Sequence, residues 1–195
     1  MSENILQKII KKKRDKIDDL KKTISIDLYK DKISQNNNFL NFKEKILNNC
    51  NNNKISIIAE IKKASPSAGI IFDDYNPVKI ANIYESNNAT CLSVLTEEDY
   101  FYGNLKHIEQ IKKNVNLPVL CKDFFIDSFQ IYQAKSFGAD AILIILSALD
   151  SDTAHILYEE ALKLNMSVII EVHTINEAKD ALSFSNALVG INNRN

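Results

Sequence analysis

Several features are scarce in this chain of 195 residues, and each scarcity excludes something. No Gly-x-Gly-x-x-Gly turn follows the first apolar strand-like run, which argues against a dinucleotide-binding, doubly wound sheet. The three cysteines, Cys50, Cys91 and Cys121, show no metal-ligand spacing, so no metal site is expected. Cys91 and Cys121 lie in apolar runs and read as small buried hydrophobes of a reducing compartment. The net charge is −1, so no overall field draws the chain to nucleic acid or to an anionic membrane. No apolar run reaches bilayer-spanning length, and the N-terminus lacks a signal-peptide h-region. The expected location is cytoplasmic. The basic segment Lys11-Lys12-Lys13-Arg14 is followed by Asp15, Asp18 and Asp19 and is expected to be a solvated helix face.

What is present is ordinary globular material, 45% hydrophobic and 25% charged, enough for one well-packed domain with an extension. Residues 2–22 place Ile5, Leu6, Ile9, Ile10, Ile17 and Leu20 at helical spacing. A polar stretch with a turn at Asn36-Asn37-Asn38 follows, and Phe39 to Leu47 suggests a second helix ending in an Asn-rich loop. Residues 1–53 thus read as a strand-free helical extension, and residues 54–195 as a separate, regular unit. From Lys54 strands alternate with helices. The strands are Ser56–Lys62, Thr90–Leu95, Leu117–Lys122, Ala141–Leu146, Val168–Val172 and Leu188–Ile191. The helices are Pro77–Asn87, Asn104–Asn114, Ser128–Phe137 closed by Gly138, Ser151–Leu164, and one opening at the capping-box pattern Thr174-Ile175-Asn176-Glu177. Short Ile/Leu/Val strands alternating with helices mean a parallel sheet with helices outside it.

Side-chain parity locates a candidate site. In a strand, Ile58, Glu60 and Lys62 share one face, while Ile57, Ala59 and Ile61 form an apolar face suited to helix packing. Lys63 belongs to the helix side. Leu120 and Lys122, Ile169 and Glu171, and Leu188, Gly190 and Asn192 repeat the pattern on the third, fifth and sixth strands. Alternate strands fill a common layer in a (β/α)8 barrel, and barrel sites lie at the carboxyl ends of the strands. Glu60 or Lys62, Lys122 and Glu171 are therefore expected to meet at one rim.

These motifs together resemble the indole-3-glycerol-phosphate synthase family of tryptophan biosynthesis. The resemblance runs from about residue 2 to the end. Its most specific pieces are Ile58-Ala59-Glu60-Ile61-Lys62-Lys63-Ala64-Ser65-Pro66-Ser67, Leu92-Ser93-Val94-Leu95-Thr96-Glu97, Pro118-Val119-Leu120-Cys121-Lys122-Asp123-Phe124, Gly138-Ala139-Asp140-Ala141, Glu171-Val172 and Val189-Gly190-Ile191-Asn192-Asn193-Arg194. One departure is Ala68, where many members have lysine. The resemblance implies a (β/α)8 TIM barrel of the ribulose-phosphate-binding type with N-terminal helices over its site, of which about six β/α units are present here.

It also implies a carboxy-lyase that closes the ring of 1-(o-carboxyphenylamino)-1-deoxyribulose 5-phosphate with loss of carbon dioxide and water, acting without a cofactor and, as a complete barrel, as a monomer. In that reading Lys122 is the general acid of ring closure and Glu171 the base of the later dehydration. Lys62 binds substrate and donates a proton, and Glu60 orients and tunes it. Asn192 binds substrate hydroxyls, Arg194 and Ser65 are further contacts, and Phe101 and Phe124 form an apolar wall for the aromatic ring. The family continues through two more strands whose loops hold the phosphate, so little turnover is expected of these six units alone. A different phosphate-binding barrel and a non-catalytic binding remnant are the competing readings. His107 and His155 are expected to be surface or packing residues, and His173 a loop residue on the Glu171 face.

Overall fold

The computed structural model describes residues 5–193. Its elements, in chain order, begin with helices α1 (Ile5–Thr23), α2 (Ile26–Ser34) and α3 (Phe42–Asn51). Strand β1 (Ile58–Ile61) follows, then a two-residue hairpin β2 (Ala64–Ser65) and β3 (Gly69–Ile70), helix α4 (Pro77–Ser86) and β4 (Cys91–Leu95). The chain continues through α5 (Leu105–Lys112), β5 (Val119–Lys122), α6 (Ser128–Ser136), β6 (Ala141–Ile145), α7 (Ser151–Lys163), β7 (Ser167–Val172), α8 (Ile175–Asp180) and β8 (Leu188–Ile191). The main sheet has the order β1-β4-β5-β6-β7-β8, all parallel, each strand beside the next one in the chain. This is a partial (β/α) barrel. Among the described residues, β1 pairs only with β4 and β8 only with β7.

The parity read from the sequence divides the core in two. Ala59, Ile61, Leu92, Val94, Val119, Cys121, Ile142, Ile144, Val168 and Ile170 face the helices and form the large outer core. Cys91, Leu120, Ala141, Leu143 and Ile169 face inward, where Phe42 from α3 joins them with no exposed surface. Phe42 is thus a plug, and deleting a buried phenyl ring of this kind costs about 3–5 kcal/mol. The extension is therefore packed into the barrel rather than appended to it.

Local chemistry explains where the elements start. Asn41, Asn76, Asn104, Asp127, Asp150 and Thr174 each accept a first-turn amide as helix N-caps. Asn53, Asn88 and Asn165 take positive φ, which asparagine tolerates better than most residues. Gly138 closes α6 at φ +97°, as the sequence predicts.

Three readings need correction. Residues 26–34, a polar stretch by sequence pattern, form the helix α2. Its helix-forming contacts are tertiary, with Tyr29 packed edge-on to Phe129 of α6 at 5.3 Å. The Ser/Pro/Gly loop after β1 contains the β2–β3 hairpin, with Gly69 at φ +64°. The basic face of α1 is not merely solvated. Lys12 and Lys16 pair with Asp99 at 2.8 and 2.6 Å, Lys13 with Asp123 at 2.7 Å, and Lys21 with Asp127 at 2.5 Å. Those acids lie far away in sequence, so local charge counting could not reveal them. The Lys13 side chain is only 12% exposed. Together these pairs dock α1 across the loops that follow β4 and β5.

Candidate active site

At the carboxyl ends of the strands lies a cleft of about 430 Å³, and the residues that line it come from almost every strand. Lys122 is the last residue of β5, aligned with Leu95 of β4. Glu171 is next to last on β7, aligned with Ile145 and Gly190. Glu60 sits on β1 opposite Ser93, and Lys62 just beyond the strand's end. Glu60, Lys122 and Glu171 occupy inward-facing positions above Ile58, Leu120 and Ile169, so each strand lifts its charge from the core to the rim.

Glu60 is the hub. One carboxylate oxygen accepts from Lys122 Nζ at 2.6 Å, and the other accepts from Lys62 Nζ in a short contact. Burial alone raises a carboxyl pKa, but the hydrogen bonds from Lys122 and Lys62 outweigh it and hold Glu60 below its ordinary value. Glu60 is therefore a fixed anion that positions two ammonium groups at one point of the cleft. Glu171 pairs with neither lysine. Its Oε1 accepts from Asn192 Nδ2 at 3.1 Å and lies 3.6 Å from His173 Nε2, whose Nδ1 lies 3.6 Å from Glu177. The rim thus holds one carboxylate committed to lysines and one that is not.

Apart from Ser67, Asp123 and Ser147, the rest of the cleft is apolar. Phe101 and Phe124 form a wall with ring centroids 6.3 Å apart, Leu95, Leu143 and Ile145 are the floor, and Ile5, Leu6 and Ile9 of α1 close over it. A flat aromatic ring carrying charged substituents fits such a surface: apolar wall on one side, ammonium groups on the other.

Comparison with known sequences now decides the family. The sequence model described as indole-3-glycerol phosphate synthase matches residues 6–195. The chain belongs to the indole-3-glycerol phosphate synthase family. It is 45% identical over 197 residues to the tryptophan biosynthesis protein TrpCF of Buchnera aphidicola subsp. Schizaphis graminum, covering 100% of this chain and 42% of that protein. It is 44% identical over 191 residues to an indole-3-glycerol phosphate synthase of Clostridium acetobutylicum, covering 97% and 71%. It is 43% identical over 198 residues to the synthase of Prochlorococcus marinus subsp. pastoris, covering 100% and 65%. The chain thus spans between 42% and 71% of the length of these relatives. Among solved structures, the fold resembles 3-keto-L-gulonate-6-phosphate decarboxylase from Vibrio cholerae, with a TM-score of 0.51 at 17% identity, covering 69% of this chain and 61% of that one.

Within this family's frame, Lys122, Glu171, Lys62, Glu60, Asn192, Phe101 and Phe124 all border one cleft. Ser65 does not border it. It is buried, and its Oγ accepts the Ala68 amide at 3.2 Å, which shapes the hairpin and leaves Pro66 and Ser67 facing the cleft. Arg194 lies outside the described residues. His155 stacks on Phe184 at 4.3 Å, a packing role as expected.

Sequence reasoning gave no role to the residues that support the wall. Glu97 is 1% exposed, and its carboxylate accepts the amides of Asp99, Tyr100 and Phe101 at 3.1, 2.7 and 3.2 Å. It ties the loop that presents Phe101. Gly103 closes that loop against the end of β4, where a Cβ would stand 2.4 Å from the Leu95 carbonyl oxygen. Asp123 accepts from Thr96 Oγ1 at 2.8 Å and from its neighbour's amide, the one at Phe124, also at 2.8 Å. The available signal was an acid within two residues of the end of each of two buried strands.

Proposed function

We propose that the chain carries the catalytic rim of an indole-3-glycerol-phosphate synthase, a lyase that converts 1-(o-carboxyphenylamino)-1-deoxyribulose 5-phosphate to indole-3-glycerol phosphate, carbon dioxide and water. The observation that carries this reading is Glu60 holding Lys122 and Lys62 together beside an aromatic wall, with Glu171 left unpaired to lysine.

The chemistry needs these groups in this order. The ring carbon bearing the carboxylate attacks the substrate ketone, and the forming alkoxide takes a proton from Lys122. The new bond leaves the ring nitrogen as an iminium beside the carboxylated carbon. Carbon dioxide then departs, its bonding electrons flow toward the iminium, and the benzene ring is restored. The substrate supplies its own electron sink, so the proposal includes no cofactor. Dehydration follows: a lysine, Lys62 in this account, protonates the departing hydroxyl while Glu171 removes the proton from the adjacent carbon. Asn192 holds both Glu171 and a substrate hydroxyl. Phe101 and Phe124 hold the aromatic ring, Ser65 shapes the loop beside it, and Arg194 is a further contact. The same proposal treats residues 1–53 as a helical extension over the barrel of residues 54–195, and the enzyme as monomeric and cytoplasmic.

The test is turnover of the purified substrate followed by indole fluorescence. It is run on the 195-residue chain and on that chain continued with the C-terminal remainder of the Clostridium acetobutylicum relative. Product from the continued chain supports the assignment, and no indole product from a folded continued chain rejects it.

A further inference from the structure

A second, larger cleft of about 880 Å³ opens at the amino ends of the strands, away from the candidate active site. It lies between the α2–α3 connection, the start of α3, the end of α6 and the turns that lead into β7 and β8. Lys135 of α6 borders it and is only 3% exposed. Its ammonium sits over the Phe39 ring at 3.5 Å from the centroid and has no hydrogen-bond acceptor among the described residues. An ammonium has three N–H donors, and a ring face covers only one direction. The Nζ atom itself is not sealed from solvent, so its remaining donors are open to water or to a ligand.

The neighbouring acid does not meet this need. Asp140 accepts from Leu40 N at 2.6 Å, Val119 N at 2.8 Å and Lys112 Nζ at 2.8 Å. Burial pushes the Lys135 amine down to about 8; Asp140 opposes this and Lys112 adds to it.

The rest of the lining presents donors too. Asn36 Oδ1 accepts from Asn38 N at 2.9 Å, Asn41 Oδ1 from Glu44 N at 3.0 Å, and Asn186 Oδ1 from Lys43 Nζ at 2.6 Å. An N–H can only be met by the amide oxygen, so these bonds fix the three amides and leave their NH₂ ends as donors. Glu44 is the acid on this lining, and it is exposed. One desolvated cation and several amide donors ask for a compact ligand rich in acceptors and carrying negative charge.

We propose that this cleft is a second ligand site, one that takes a small oxyanion, a carboxylate or phosphate group, with Lys135 as its cation.

The test is pulsed acetic-anhydride labelling of the intact chain, read residue by residue by mass spectrometry. Separate arms contain inorganic phosphate or acetate, and chloride keeps the ionic strength constant. An oxyanion beside the ammonium that raises its pKa by one unit cuts the free amine, and hence the labelling of Lys135, about tenfold. The exposed Lys106 serves as comparator and is unaffected. Protection by phosphate alone, by acetate alone or by both supports the site and names its chemistry. No protection of Lys135 beyond that of Lys106 in either arm overturns it. Asn41→Asp keeps an N-cap residue, since aspartate caps as well as asparagine, but places a negative charge in the cleft. It is expected to weaken protection at least ~fivefold, given like-charge repulsion, and unchanged protection overturns the proposal.

Discussion

Replacing Glu60 by Gln keeps the side chain's size and removes its charge. In the structure that carboxylate accepts from both Lys122 and Lys62. A hydrogen bond to a charged group is worth about 1.5–3 kcal/mol and a neutral one about 0.5–1.5, so each lysine loses roughly 1 kcal/mol of positioning. Two bonds weakened together amount to about 2 kcal/mol, and if that loss is felt in the transition state, kcat falls about 30-fold. Global stability changes much less. The Glu60 and Lys122 side chains are 31% and 35% exposed, so solvent screens the pair in the folded state and under ~1 kcal/mol is expected. The assay is single-turnover formation of the indole product by the chain continued with the relative's C-terminal remainder, beside urea unfolding of the same protein. The substrate KM is expected to change less than ~threefold, because the bonds lost are made to the lysines and not to the substrate. A kcat within ~threefold of the parent, or an effect confined to stability, refutes the reasoning that Glu60 acts by presenting the lysines.

Three further predictions concern the frame around the site. Asp140→Ala strands the buried Lys112 ammonium and two backbone amides, and is expected to cost about 3–5 kcal/mol in urea unfolding; a loss below ~1 kcal/mol contradicts the role given to the pair. Gly103→Ala drives a methyl group into the backbone at the end of β4, and should lower stability by about 2–3 kcal/mol; an unchanged urea midpoint shows that the loop can move. Burial, together with Lys63, lowers the pKa of His107 in the folded chain. On acidification the unfolded chain is protonated first, near about pH 6.5, so this histidine's contribution to stability is lost as pH falls from there through the folded value. The pH-stability profile of His107→Phe is expected to be flatter over that window, and parallel profiles contradict this.

How much of this was legible in the sequence depends on the range of the interactions. Parity assigned Glu60, Lys62, Lys122 and Glu171 to the inner face because a strand's period is fixed locally. The capping residue Thr174 and the closing Gly138 were readable for the same reason. The partition of charge within the rim was not readable. Nothing in the chain's order says that Glu60 takes both lysines and that Glu171 instead meets Asn192 and His173. The segment Lys11-Lys12-Lys13-Arg14 reads as solvated because Asp99 and Asp123, the partners of Lys12 and Lys13, lie about a hundred residues away. Helix α2 escaped notice because its stability comes from packing on α6 rather than from its own pattern. Ser65 drew attention as a contact on motif grounds, and the hairpin instead turns its hydroxyl toward the Ala68 amide.

The central claim is that the Lys122 ammonium donates the proton that completes ring closure. Lys122→Met retains the stem's apolar contacts and removes only the donor. Single-turnover kinetics of this variant, in the chain continued with the relative's C-terminal remainder, should show indole formation reduced at least ~10³-fold, in line with the loss of a positioned general acid, while the protein remains folded by circular dichroism. Formation within ~tenfold of the parent rate would contradict the account at its centre.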